Sequence, residues 1–316
     1  MQHRPRLLLA LLSLACVSRT RVALAQGAGV VEDTTTVGGR TVVVWQPKKS
    51  SVRAPVVIFS HGLGGCPTQS RFMTAGLAAR GYYVFAPLHR DAGCMRPASG
   101  PIKPKHRLSD PNAWGDLTYG DRMEDLRAIV DALSGAAWSS KLDLNQLAVA
   151  GHSLGGYTAL AVAGGWAVMR IPGVRAVLTF APYTAPFLAH GTMGDVVVPV
   201  MLQGGALDGT ITAAIARPGG AYDELPGPKF FIEFARARHS SWGNAPNAAH
   251  DAMLAYAAAF LDHYVRGIAE ANALTAKLPG VTTLRFSRGR VAASSQRMST
   301  PAPRATSPTA PTASYP

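Results

Sequence analysis

Short apolar runs rich in β-branched residues recur along the chain at 41–45, 55–60, 82–86, 147–151, 174–180, 196–202 and 229–234. Between several of them lie stretches of helical periodicity, at 71–80, 121–133, 154–163 and 248–265. A strand that is apolar along its whole length must be covered on both faces. Such strands alternating with amphipathic helices specify an α/β fold: a mainly parallel central sheet with helices on both faces. No internal repeat is visible.

The first 25 residues read differently from the rest. His3, Arg4 and Arg6 precede an apolar run over 7–17, and Val22-Ala23-Leu24-Ala25 precedes Gln26. A basic head, a short apolar centre and a small-residue end predict an export leader cut after Ala25, hence a secreted or periplasmic protein. The run is about eleven residues, too short to span a bilayer, which takes about twenty. No stable membrane insertion is expected after cleavage. From 287 to 316 the composition turns to Ser, Thr, Pro, Ala and Arg, and this tail is expected to be disordered, having too little apolar surface to offset the entropy of ordering. The remaining span, 26–286, is long enough for one large domain, and 47% of the chain is apolar.

The formal charge is +13, of which Arg4, Arg6, Arg19 and Arg21 belong to the leader, leaving about +9. Arg288, Arg290, Arg297 and Arg304 sit in the tail. The basicity is therefore partly peripheral, which argues against a nucleic-acid groove. After leader removal only Cys66 and Cys94 remain. In an oxidising compartment they read as one disulfide, the alternative being two buried thiols, and their spacing fits no zinc site. Neither cofactor nor metal is called for, and the chain is read as a monomer.

"LAVAGHSLGG", residues 147–156, runs from an apolar strand through Gly151-His152-Ser153-Leu154-Gly155 into a small-residue helix. In that setting Gly-x-Ser-x-Gly is a nucleophile elbow. The turn is tight enough to force strained backbone angles on Ser153, and side chains at 151 and 155 would strike neighbouring backbone. A serine hydroxyl needs a base to take its proton and a carboxylate to orient that base. Asp208 follows the apolar run 196–202 in "QGGALDGT", and His239 follows 229–234 in "ARARHSSW". Each falls just past a strand, on the sheet edge expected for Ser153. Asp195 and Asp223 stand in reserve as the acid, although neither directly follows a strand.

Together "VVIFSHGLGG", "GYYVFAPLHR", "RMEDLRAIVDAL", "GHSLGG", "VMLQGGALDGT" and "RHSSW", with the closing helix "AYAAAFLDHYVRG", resemble the α/β-hydrolase superfamily. The likeness is to its dienelactone hydrolase-like and platelet-activating-factor acetylhydrolase-like branch, related to cutinase-type polyester hydrolases, and it spans roughly residues 40–266. It implies Ser153 as nucleophile, His239 as general base and Asp208 as its orienting carboxylate. Dienelactone hydrolases carry a cysteine nucleophile, so the serine points to the esterase-like relatives. The resemblance also implies backbone oxyanion donors at Leu154 and at Leu63, within the glycine-rich 61–65 loop. Rigid N–H donors suit that task because they need no reorganisation. In this fold the strands before Cys66 and Cys94 are neighbours, so a Cys66–Cys94 disulfide would tie the oxyanion loop to the long 91–117 loop.

His61 and His152 read as structural, His89-Arg90-Asp91 as a local ion pair, and Trp242 either as an aromatic wall for substrate or as packing. Only about fifteen residues, 181–195, stand where a lid domain is inserted in many lipases, so no large lid is expected. The expected activity is hydrolysis of carboxylic esters of small molecules, lipids or polymers through an acyl-enzyme. Acyl transfer or amide cleavage on the same triad, and a non-catalytic secreted binding protein, are the alternatives.

Overall fold

Strands apolar on both faces are stable only between two covering layers, and the computed structural model arranges them so. It describes residues 29–48, 53–95, 103–269 and 272–289. The expected leader at 1–25 and all but the first three residues of the expected tail lie outside that range. The strands are β1 (Val30–Val37), β2 (Arg40–Pro47), β3 (Ala54–Ser60), β4 (Tyr83–Pro87), β5 (Leu142–His152), β6 (Val174–Phe180), β7 (Val200–Gly205), β8 (Lys229–Phe234) and β9 (Val281–Ser287). They form a single sheet in the order β1-β2-β4-β3-β5-β6-β7-β8-β9. From β4 to β8 all neighbours run parallel, while β1, β2 and β9 pair antiparallel at the two ends.

The helices are α1 (Arg71–Ala78), α2 (Gly120–Leu133), α3 (Ala136–Ser139), α4 (Leu154–Leu160), α5 (Ala185–Ala189), α6 (Ile211–Ala216), α7 (Ala221–Glu224), α8 (His250–Tyr264) and α9 (Asn272–Thr275). Side chains alternate across each strand, so β5 sends Leu147 and Val149 to one face and Ala148 and Ala150 to the other. The first face packs with Met123, Leu126 and Ile129 of α2 and with Tyr157 and Leu160 of α4. The second packs with Leu77 of α1 and with Leu254, Ala257 and Leu261 of α8. Two cores on opposite faces of a mostly parallel sheet are the α/β architecture that the alternation specified, as the α/β-hydrolase resemblance also implied.

Two strands were not foreseen, β1 and β9. Both are edge strands with solvent-facing residues, and β9 is held partly by Phe286, whose ring stacks on Phe230 of β8 at 4.5 Å between centroids. The predicted helix over 154–163 ends early. Gly164 has a φ of 132°, and residues Ala161–Gly165 continue α4 as a π-helical turn. Between β6 and β7 there is only α5 and one turn of 3-10 helix, so among the described residues no large lid covers the carboxyl edge. The 91–117 loop is pinned to the body by Trp114, which is 1% exposed and packs on Tyr119, Tyr157 and Tyr183.

Candidate active site

β5 delivers the elbow. Ser153 follows its last residue and carries φ 54° and ψ −116°, a backbone state that costs an L-residue of order 1–3 kcal/mol and persists only where the surroundings enforce it. Those surroundings are the flanking glycines. A Cβ at position 151 would strike the Gly155 carbonyl, and one at 155 would strike the Ser60 carbonyl. The turn therefore admits no other residue at either place.

The loops after β7 and β8 bring the other two groups to the same edge. His239 Nε2 lies 2.8 Å from Ser153 Oγ, and His239 Nδ1 lies 2.8 Å from Asp208 Oδ2. Ionised Asp208 can only accept, so Nδ1 carries the proton and Nε2 is left as the acceptor for the serine hydroxyl. Asp208 is buried, at 7% side-chain exposure, while the imidazole is 40% exposed, so the ring faces solvent while the carboxylate it meets is screened. Asp195 and Asp223 are exposed, and Asp223 pairs with Arg285 at 2.6 Å, which removes both reserves.

The 61–65 loop borders the elbow: a Cβ on Gly62 would stand 3.5 Å from Ser153 Cβ. Among the described residues neither the Leu63 N–H nor the Leu154 N–H has an acceptor. Two backbone donors thus remain open in the two segments flanking the serine hydroxyl. Cys66 and Cys94 are joined as a disulfide with Cα atoms 6.0 Å apart, and Gly93 N–H donates to the carbonyls of Gly64 and Gly65 at 3.2 and 3.0 Å. The glycine-rich loop is thereby tied to the chain after β4.

Trp242 is not a wall of the site. It is fully buried, its Nε1–H donates to Gln203 Oε1 at 3.1 Å, and its ring packs near Phe234 and His152. A cluster of four residues, His239–Trp242, turns as 3-10 helix, which carries the indole inward behind the base. The expected local pairing in His89-Arg90-Asp91 is also replaced. Asp91 pairs with Arg122 at 2.8 Å, and His89 is enclosed between Ser60 and Asp125.

That enclosure repeats the triad's atom order. Ser60 Oγ lies 2.9 Å from His89 Nε2, and His89 Nδ1 lies 2.8 Å from Asp125 Oδ2. Ser60 and His89 are completely buried, so no substrate reaches them. Burial, then the Arg122 charge, holds His89 well below the usual imidazole range. The second Ser-His-Asp chain is a structural bracket under the glycine loop, and no pattern at 60, 89 and 125 announces it in the sequence. A separate cavity of about 370 Å3, bordered by Phe187, Leu188 and Met193, includes none of the triad.

The chain belongs to the alpha/beta hydrolase family, whose model matches residues 57–311. It is similar to two cutinases of Thermobifida alba, est2 and est1, at 24% and 25% identity over 233 residues. The matched stretch is 72% of this chain but only 64% and 65% of those two proteins, so the chain spans less than two thirds of the length of these curated relatives.

Proposed function

We propose that this protein is a secreted serine esterase that cleaves carboxylic esters through an acyl-enzyme. The observation that carries the reading is the bridging imidazole of His239, 2.8 Å from Ser153 Oγ on one side and 2.8 Å from Asp208 on the other. Nε2 takes the hydroxyl proton as Oγ attacks the ester carbonyl, and Asp208 stabilises the imidazolium that forms. The N–H groups of Leu63 and Leu154 receive the negative charge on the carbonyl oxygen, each contributing about 3 kcal/mol to the transition state. His239 then gives the proton to the leaving alcohol. Water, activated by the same base, releases the acid from Ser153.

The serine at the elbow favours the esterase-like side of the dienelactone hydrolase-like and platelet-activating-factor acetylhydrolase-like branch. Similarity to two cutinases and the absence of a large lid among the described residues support bulky, extended or surface-bound esters as substrates. The Cys66–Cys94 disulfide supports an oxidising compartment.

The test is hydrolysis of p-nitrophenyl esters of increasing acyl length by wild type and Ser153→Ala in parallel. The reading requires turnover by the wild type and its loss in the variant. Equal rates for the two proteins would exclude it.

A further inference from the structure

Beneath the glycine loop lies a cation that the triad does not use. Arg122, from the first turn of α2, has a completely buried side chain. Its Nη1 donates to the His61 carbonyl at 2.6 Å and to Ser60 Oγ at 3.2 Å. Its Nη2 donates to the Gly62 carbonyl at 3.2 Å and to Asp91 at 2.8 Å, and Nε completes a bidentate pair with Asp91 at 3.1 Å. The Gly62 carbonyl takes two further hydrogen bonds, from His61 Nδ1 at 2.8 Å and from the Gly65 N–H at 3.0 Å. The Gly62 N–H is engaged as well, by Gln69 Oε1 at 3.0 Å.

The Gly62 carbonyl and the Leu63 N–H belong to one planar trans peptide and point in opposite directions. Three donors behind the carbonyl, the Gly65 N–H and the side chains of His61 and Arg122, therefore fix the direction of the N–H in front. A guanidinium on the carbonyl oxygen also draws electron density from the amide, making its N–H a stronger donor. In the stretch from the Gly62 N–H to the Leu63 N–H, every polar group has a protein partner except that last donor. Burying an arginine is costly unless the charge is paired and its donors used. Here those donors go to Asp91, to Ser60 and to two consecutive carbonyls of the glycine loop.

We propose that Arg122, together with His61, is a positioning residue for the oxyanion hole: it clamps and polarises the Gly62–Leu63 peptide so that the Leu63 N–H is preset for the transition state. This rests on the esterase reading above. The neutrality that His61 needs as a single-proton donor is consistent with its surroundings. Burial, then the Arg122 charge, keeps its pKa well below the ordinary value, and its Nε2 faces the His89 N–H at 3.4 Å as an acceptor.

The experiment compares wild type, Arg122→Lys, Arg122→Met and His61→Ala. Each is measured for p-nitrophenyl ester hydrolysis and for inhibition by an alkylboronic acid, whose tetrahedral adduct on Ser153 presents an oxygen to the hole. Arg122→Met is expected to lower kcat/KM by roughly 10- to 100-fold, less than the loss of an entire donor, with a parallel rise in the boronate inhibition constant. Arg122→Lys, which keeps the charge but lacks the fork, should fall between wild type and Arg122→Met. The affinity for the alcohol product, which makes no oxyanion, should stay within about twofold. His61→Ala leaves the Arg122–Asp91 pair in place and should move the same two quantities in the same direction, so it carries the test if Arg122→Met does not fold.

A wild type that hydrolyses esters in a Ser153-dependent way, with folded variants whose boronate affinity is unchanged, overturns this inference and leaves the esterase reading intact. A fall in rate with no fall in boronate affinity overturns it too. A wild type without Ser153-dependent hydrolysis overturns the esterase reading and this inference with it.

Discussion

His152 Nε2 donates to the backbone carbonyl of His239 at 2.8 Å, so the residue before Ser153 holds the main chain of His239. The direction of that bond is set from the other end. Gly62 N–H donates to Gln69 Oε1, which turns the Gln69 amide nitrogen toward His152 Nδ1, 2.6 Å away. Nδ1 must then accept, which leaves the proton on Nε2. The glycine-rich 61–65 loop, the turn at Ser153 and the loop that carries His239 are thus joined by one directional chain of hydrogen bonds.

Gln69→Leu removes the first two of the three links of that chain at similar volume. Each hydrogen bond contributes about 1 kcal/mol net, and loosening the base loop should lower kcat/KM by roughly tenfold, about 1.4 kcal/mol. Steady-state kinetics beside a thermal melt checks this. A variant with wild-type kcat/KM would show that the chain does not position the base.

The two Ser-His-Asp arrangements are separable by chemistry. A fluorophosphonate should label Ser153 alone, because Ser60 is fully buried. Mass spectrometry of the labelled peptide should find the adduct on Ser153 in wild type and in Ser60→Ala, and none in Ser153→Ala. Asp208→Asn should retain the fold and lose on the order of 10^4-fold in kcat, because an amide in place of the carboxylate no longer enforces the Nδ1–H tautomer.

The parallel sheet and the turn at Ser153 were legible because both leave local marks. A strand buried on two faces must be apolar throughout, as in 55–60, and an elbow without room for a Cβ must have glycine at 151 and 155. Asp208 and His239 were legible only through the rule that chemistry sits past the carboxyl ends of parallel strands. What stayed hidden is non-local. The bracket of Ser60, His89, Asp125 and Arg122 joins β3, the loop after β4 and α2, and each member alone looks like an ordinary polar residue. Trp242 misled because distance along the chain from the base says nothing about which way a 3-10 turn carries the indole. Strands β1 and β9 were missed because edge strands keep one side polar and lose the continuous apolar signature.

Acid should destabilise the fold before it reaches the carboxylates. Burial, with the neighbouring His239 charge adding to it, depresses His152 from 6.5 to about 4, and His61 and His89 are lowered in the same sense. The folded protein binds fewer protons than the unfolded chain between those values, so stability rises with pH there. The contribution of His152 is present in full above about 6.5 and is lost as the pH falls to about 4, amounting to about 3 kcal/mol. Urea unfolding between pH 7.5 and 4.5 should show a falling midpoint, with a shallower fall in His152→Gln. A midpoint independent of pH over that range would contradict the burial of neutral imidazoles.

The disulfide acts on stability and on catalysis by one constraint. Cys66 and Cys94 are 28 residues apart in sequence, and in the chain-entropy account closing a loop of that size contributes about 3–4 kcal/mol by restricting the unfolded chain. Beyond that, the bridge anchors the segment whose Gly93 N–H holds the carbonyls of Gly64 and Gly65, so its loss also frees the glycine loop. Cys66→Ser/Cys94→Ser should lower the melting temperature by roughly 6–16 °C, taking about 2–4 °C per kcal/mol for a domain of this size. At a temperature where the variant remains folded, kcat should fall while KM changes little, since a looser donor weakens only the transition state. A variant that loses stability but keeps kcat would confine the bridge to a structural role and leave the loop's geometry to Arg122, His61 and Gly93.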